Sequence, residues 1–431
     1  MKRLTLFLGM VIFLSLCFQN TSYSQLKGFK KLKKAAQSIL EDDKKEEKKQ
    51  TNPSNTGDGN SVRGKKLAPP SVDSHLNNAK AALGDQRWSE ARFEVKEAMR
   101  GVEIELGYKI LESMPKSVKG VSHNPDDDGV VSTGVGFVGM VVSRFYGNDG
   151  KQYTATVGNN SALGISYNFL LNSGYSSNDG NHKNVTVQGN RGTMTFDGYN
   201  TYNLGVPFGQ SSAFVLECRE CTSEDDIMAA VEAFDINAFE EILKDDSSDG
   251  SETGDAKSHL SAASSKYSAK NLEGSRFDLQ RTLVDIDIVI GEKILAMLPD
   301  ELAGLKVTKE DDEHVGSASG FAGVYVRRIY ESPDGTKSVE LSLLDDSPLL
   351  SVVSGFLSSP LLIGMSGKKS INIDGYKGMK ETVEGSDPIE HNINIPFNQS
   401  MLSMNFVNIS ENDVTKSSNE VPVGEIFDLI K

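Results

Sequence analysis

The chain has 431 residues, a formal net charge of −15 and three cysteines. That length exceeds one ordinary domain and suggests roughly two to three. The charge is uneven: twelve Lys/Arg face six Asp/Glu over residues 25–71. With that surplus and the +2 of residues 1–24 set aside, residues 72–431 carry −23. So acidic a body excludes nucleic acid as a partner, because phosphate contacts need a basic surface.

The first segment reads as a secretory signal over residues 1–24. Lys2 and Arg3 precede an apolar run from Leu4 to Phe18, and Ser22 and Ser24 put small residues at −3 and −1 of a cut before Gln25. This implies export to the periplasm, the cell surface or the exterior. Lipidation at Cys17 is the rival reading, but Leu16 stands where a lipoprotein signal wants a small residue. Residues 25–72 follow as a basic amphipathic helix and a flexible linker. Phe29 belongs to an apolar face with Leu26, Leu32, Ala36, Ile39 and Leu40, while Lys27, Lys30, Lys31, Lys33 and Lys34 lie elsewhere. Such a helix can lie on an anionic membrane surface, or it can be a solvated leader.

Beyond residue 72 the chain repeats itself. A shift of 184 residues pairs Ser74-His75-Leu76 with Ser258-His259-Leu260, Arg92-Phe93 with Arg276-Phe277, and Pro115 with Pro299. It also pairs Gly139 with Gly323, Arg144 with Arg328 and Tyr146 with Tyr330. With small drifts, Pro207-Phe208 then meets Pro396-Phe397, and Ser223 to Ile227 meets Ser410 to Val414. The expected architecture is α+β: two tandem homologous domains, 73–244 and 258–431, joined by an acidic Ser/Gly linker at 245–257. In each, a helical hairpin ends at a proline, as in "GYKILESMP" and "GEKILAMLP". An acidic loop follows, then two strands, a helix-length segment, four strands with hairpin-type turns, and closing helix.

The order "LP", a glycine-spaced strand ending R-x-Y, a strand with D-S-P, an apolar helix and I-x-G-x-x-G resembles domains of uncharacterised exported bacterial proteins. The second copy carries the pattern in Leu298-Pro299, Asp346-Ser347-Pro348 and Ile373 to Gly378. The first copy departs from it at Met114, Asn160-Ser161-Ala162 and Val187. Element order is also similar to Mog1/PsbP-like α+β domains. Neither likeness implies an activity.

Several stretches invite chemistry and each has a plainer account. Gly134 to Gly139 spells G-x-G-x-x-G, but a strand follows where dinucleotide binding needs a helix. Asp245, Ser247, Asp249 and Gly250 match part of a calcium loop, yet Ala256 stands where the bidentate Glu belongs. Cys218 and Cys221 end a strand ahead of a helix, a spacing that suits a local disulfide or inert thiols better than a redox pair. His75 and His259 stand at helix starts where Ser74 and Ser258 would cap. Arg144 and Arg328 read as a surface strand pair, with binding as the alternative. The apolar segment Leu349 to Met365, with Leu349, Leu350, Val353, Phe356 and Leu357, reads as core helix or as the lid of an apolar pocket. The sequence therefore nominates no catalytic residue, cofactor or metal. It points to an exported, non-enzymatic tandem-domain protein that binds or scaffolds an envelope partner. The alternative is a carrier of a small apolar ligand or lipid.

Overall fold

Two long helices set the frame, and each is preceded by a shorter one. In the first half these are α1 (Val72–Gly84) and α2 (Trp88–Ser113). Strands β1 (Ser117–Val118), β2 (Val121–Ser122), β3 (Gly129–Ser132), β4 (Met140–Tyr146), β5 (Gln152–Asn159), β6 (His182–Val187), β7 (Asn190–Phe196), β8 (Thr201–Phe208) and β9 (Ser212–Arg219) follow. Helices α3 (Glu224–Val231) and α4 (Ile236–Ile242) close this half. The second half opens with α5 (Ala256–Ser268) and α6 (Leu272–Met297). It continues through β10 (Glu301–Leu302), β11 (Leu305–Val307), β12 (Glu313–Val315), β13 (Tyr325–Glu331), β14 (Ser338–Leu344), β15 (Lys369–Ile373), β16 (Tyr376–Val383), β17 (Glu390–Phe397) and β18 (Ser400–Val407). It ends on α7 (Glu411–Ser418) and α8 (Val423–Leu429).

This computed structural model describes residues 63–132, 139–159, 182–209, 212–244, 255–316, 323–346, 369–383 and 385–431. The signal, the leader helix with its lysines, most of the glycine motif, the calcium-like loop and the apolar segment with Leu349 and Phe356 lie outside them.

The protein is α+β with large antiparallel sheets. The first sheet runs β3-β4-β5-β9-β8-β7-β6, and the second holds β13-β14-β18-β17-β16-β15 in the same spatial sequence, with β12 beside β13. Side chains explain the burial. Along β13 and β14 alternate residues are buried, as expected of strands with one face on a core. The long helices stop for the reason their prolines supply: Met114 and Leu298, each just before a proline, take extended ψ of 143° and 139°. The repeated glycine of "GYKILESMP" marks close packing of helix on sheet. A Cβ at Gly107 would lie 2.4 Å from Val130 Cγ1 and 3.0 Å from Met140 Sδ, and one at Gly291 would lie 3.0 Å from His314 Cβ.

The halves share one hydrophobic core. Helix α2 packs along α6, and α1 meets α5, while each long helix also lies against strands of its own half. Among the described residues no helix is long and apolar enough to cross a membrane.

Three local details differ from the sequence expectation. Ser74 does not cap: α1 begins two residues earlier, at Val72, and Ser71 is its N-cap without a side-chain bond. Asp255 caps α5, with Ser258 completing a reciprocal capping box from the third helical position. The end of the expected flexible linker is stitched down. Gly64 N–H donates to Asp127 O at 3.0 Å, Val130 N–H to Lys65 O at 2.9 Å, and Arg63 pairs with Asp127 at 2.8 Å. The acidic loop Asn124 to Gly129 thus holds the basic chain that precedes α1.

Candidate functional site

Buried charge is costly unless it is paired, so the place where a fold tolerates several such groups is the first to inspect. Here that place is the contact between the halves. Arg92 sits on the buried side of α2 and is 1% exposed. Its Nε donates to Asp287 on α6 at 2.6 Å, and its Nη2 to Asp345 and to Asp346, the latter at 2.9 Å. Its Nη1 reaches Ile430 O at 3.4 Å. Lys96, one turn along α2, also pairs with Asp346. Ser400 at the start of β18 donates to Asp345. One guanidinium from the first half thereby gathers three carboxylates of the second.

The electrostatics follow from that crowding. Burial drives the Asp345 carboxyl above its ordinary value, against the pull of Arg92. Burial pushes Asp346 the same way, but Arg92 and Lys96 outweigh it and hold this carboxyl below the usual range. Burial also opposes the charge on Arg92, and the three aspartates overcome it, so the guanidinium stays protonated at any practical pH. Asp346 reaches both cations from a left-handed backbone, φ +50°, which aspartate tolerates better than most side chains. Gly323 leaves the guanidinium its space, since a Cβ there would lie 2.5 Å from Arg92 Nη2. Gly323→Ala is expected to lower stability by about 1–3 kcal/mol through overpacking, measured by urea unfolding; an unchanged midpoint would show that Arg92 can move aside.

The position 184 residues beyond Arg92 is treated differently. Arg276 turns to Glu273 on its own helix, with Nε···O distances of 3.0 and 2.9 Å. Asn159, which accepts from Ser212 at 2.8 Å, occupies in the first sheet the place that Asp345 holds in the second. Glu103, the counterpart of Asp287, accepts a hydrogen bond from Ser132 Oγ and is 1% exposed.

The residues nominated by sequence go elsewhere. Arg144 and Arg328 are buried, 7% and 4% exposed, which corrects the surface-strand expectation. Each braces the helix end against the acidic loop. Arg144 grips Asp128 at 2.7 Å and donates to Met114 O at 2.9 Å. Arg328 grips Asp312 and donates to Leu298 O at 3.0 Å. Tyr146 and Tyr330 donate to Pro115 O and Pro299 O, both at 2.9 Å. Burial raises both phenols, Tyr330 to about 12, so they remain donors. His75 meets Glu94 at 2.6 Å, and His259 meets Asp285 at 2.8 Å, each tying a short helix to its long partner. Cys218 and Cys221 are buried and joined in a disulfide with a Cα–Cα distance of 5.8 Å. Gly139 has φ +62° and leads directly into β4, so a strand follows the glycine motif.

Among the described residues no three His, Cys, Asp or Glu are grouped to hold a metal ion. A shallow depression is lined by Arg63, Phe145, Gln152, Tyr153 and Arg219. Sequence reasoning passed over the Arg92 cluster, although two signals were present: a charged residue at a repeated position within an apolar helix, and the aspartates of "LLDDSP". Comparison of the chain with family models, curated proteins and solved structures gives no match.

Proposed function

We propose that the chain is an exported, non-enzymatic protein of the bacterial envelope, built by duplication of one α+β module, whose two copies act as one rigid body that binds or scaffolds a partner. One observation carries this reading. Most polar residues that recur at the 184-residue spacing on the strands make contacts inside the fold, and there they do so in the same way in each half, although Arg92 and Arg276 on the long helices take different partners. Arg144 and Arg328 grip an acidic loop and a helix-end carbonyl, and Tyr146 and Tyr330 fasten to the proline carbonyls. A repeated catalytic set would instead have to present groups to a substrate. Duplication supports binding for a further reason, because two linked modules raise the effective concentration of each at a shared target.

Two measurements test it. Residues 1–72 fused ahead of alkaline phosphatase, which is active only after export, should give an active enzyme in a bacterial host; cytoplasmic, inactive fusion would remove the envelope from the reading. Native mass spectrometry of the mature chain, expressed with its signal, should give the bare protein mass. A co-purifying lipid would transfer the reading to the carrier of an apolar ligand, with Leu349, Leu350, Val353, Phe356 and Leu357 as the first residues to change. Separately, the leader predicts that removing residues 25–45 abolishes co-sedimentation with anionic liposomes. Equal binding with and without the segment would dispose of a membrane contact.

A further inference from the structure

The chain that leads into α1 lies as an extra strand on the first sheet. Lys66 pairs in parallel with Val130 of β3, Val130 N–H donates to Lys65 O at 2.9 Å, and Gly64 N–H donates to Asp127 O at 3.0 Å. Side chains secure it: Arg63 pairs with Asp127 at 2.8 Å, and Tyr108 on α2 donates to Leu67 O at 3.0 Å. Beneath this strap Val130 is 0% exposed. The second sheet has the same edge in β12, and the 184-residue shift carries Val130 to His314, Asp127 to Asp311 and Tyr108 to Glu292. His314 pairs with Val326 just as Val130 pairs with Val142, so its N–H also points away from the sheet. Among the described residues that N–H has no acceptor. Val315 is 37% exposed, and the Glu292 side chain 60%.

We propose that the outer edge of β12 is a docking site for an extended, basic segment of a partner protein, which joins the second sheet as residues 63–67 join the first. This rests on the reading of the chain as a binding protein and gives it a place and a partner chemistry. Strand addition supplies backbone hydrogen bonds, and the flanking side chains select the sequence. Here the selection is electrostatic. Glu310, Asp311 and Glu313 beside the edge are exposed, and Glu292 stands where Tyr108 holds Leu67 in the first half. The nearby cations are engaged, Lys309 with Asp300 at 2.8 Å and Arg327 with Glu340 at 2.8 Å. The chain's own residues at the corresponding place are of the wrong kind. Ser247-Ser248-Asp249-Gly250-Ser251 stands 184 residues beyond Arg63-Gly64-Lys65-Lys66-Leu67, with an aspartate and no cation or apolar side chain. It offers an acidic edge no complementary charge.

The test is fluorescence anisotropy of a labelled peptide of residues 62–69, "VRGKKLAP", titrated with the whole mature chain. Saturable binding is expected, weakening as salt rises. His314→Pro removes the outward N–H without touching the bonds to β13, and should weaken binding about 3–10-fold. Asp311→Lys with Glu292→Lys, both at exposed positions, should abolish it, and keeps the test decisive if the proline variant fails to fold. No saturable binding, or equal affinity in wild type and the charge-reversed variant, would overturn the proposal. So would binding that appears only when residues 246–253 are replaced by glycine and serine, since the linker would then be the occupant. A concentration-dependent dimer of the mature chain, lost in the charge-reversed variant, would make a second copy's residues 63–67 the occupant and overturn it too. A peptide that fails to bind removes this edge alone, whereas the export and mass measurements decide the wider reading.

Discussion

Replacing Arg92 by Met lowers the unfolding free energy by about 3–5 kcal/mol, the usual effect of removing one partner from a buried ion pair. Here the effect should lie at the upper end. The change leaves Asp287, Asp345 and Asp346 facing one another with Lys96 as the only cation that the cluster retains among its described contacts. In a unit of this size the thermal midpoint should fall by on the order of 10 °C. The lesson lies in the repair. Arg92→Met combined with Asp345→Asn and Asp346→Asn removes two of the three stranded charges and leaves Asp287, and Asn already serves beside Ser212 at the corresponding place in the first sheet. Part of the loss should return, because a buried pair is costly chiefly when it is broken. If the triple variant is as unstable as Arg92→Met alone, the cluster acts by packing and not by charge.

The second large effect concerns the braces. Arg144→Met strands Asp128, 4% exposed, and deprives Met114 O of its donor. An expected loss of about 3 kcal/mol follows from the buried carboxylate and the orphaned carbonyl together. Arg328→Met should cost about as much, since Asp312 and Leu298 O stand in the same relation to it. The two sites share no partner, so their effects should add. Arg144→Lys keeps the charge but cannot span the carboxylate and the carbonyl as a planar fork does, and should retain only part of the stability. Chemical unfolding of the single and double variants measures all of this. A loss below about 1 kcal/mol for Arg144→Met would place the brace at a solvated surface after all.

How far the sequence discloses this fold depends on the range of the interaction concerned. Helix ends were legible because proline acts on its immediate neighbour, and Ser223 was legible as a cap because its oxygen needs only the amide of Asp226. The sheets were legible as alternating, turn-bounded runs. The helix starts were less so: Ser74 and Ser258 looked like caps, but a serine three residues further in can serve the same box, and the first apolar residue does not fix the boundary. Arg144 and Arg328 were misplaced because an arginine on a strand looks the same whether it faces water or an aspartate sixteen residues away. The Arg92 cluster was the least legible of all. Its members stand 195 and 253 residues apart in the chain, and only the packing of α2 on α6 brings them together.

The unequal charges on either side of the α2–α6 contact also decide what may not associate. The first half brings Arg92 and Lys96 against Glu103, and the second brings Arg276 against Glu273, Asp287, Asp345 and Asp346. Unlike halves therefore meet with opposite sign. Two second halves packed through this helix face would bury carboxylates far in excess of cations, and two first halves would bury cations in excess of carboxylates. The charge asymmetry therefore favours the contact between unlike halves over a contact between like ones.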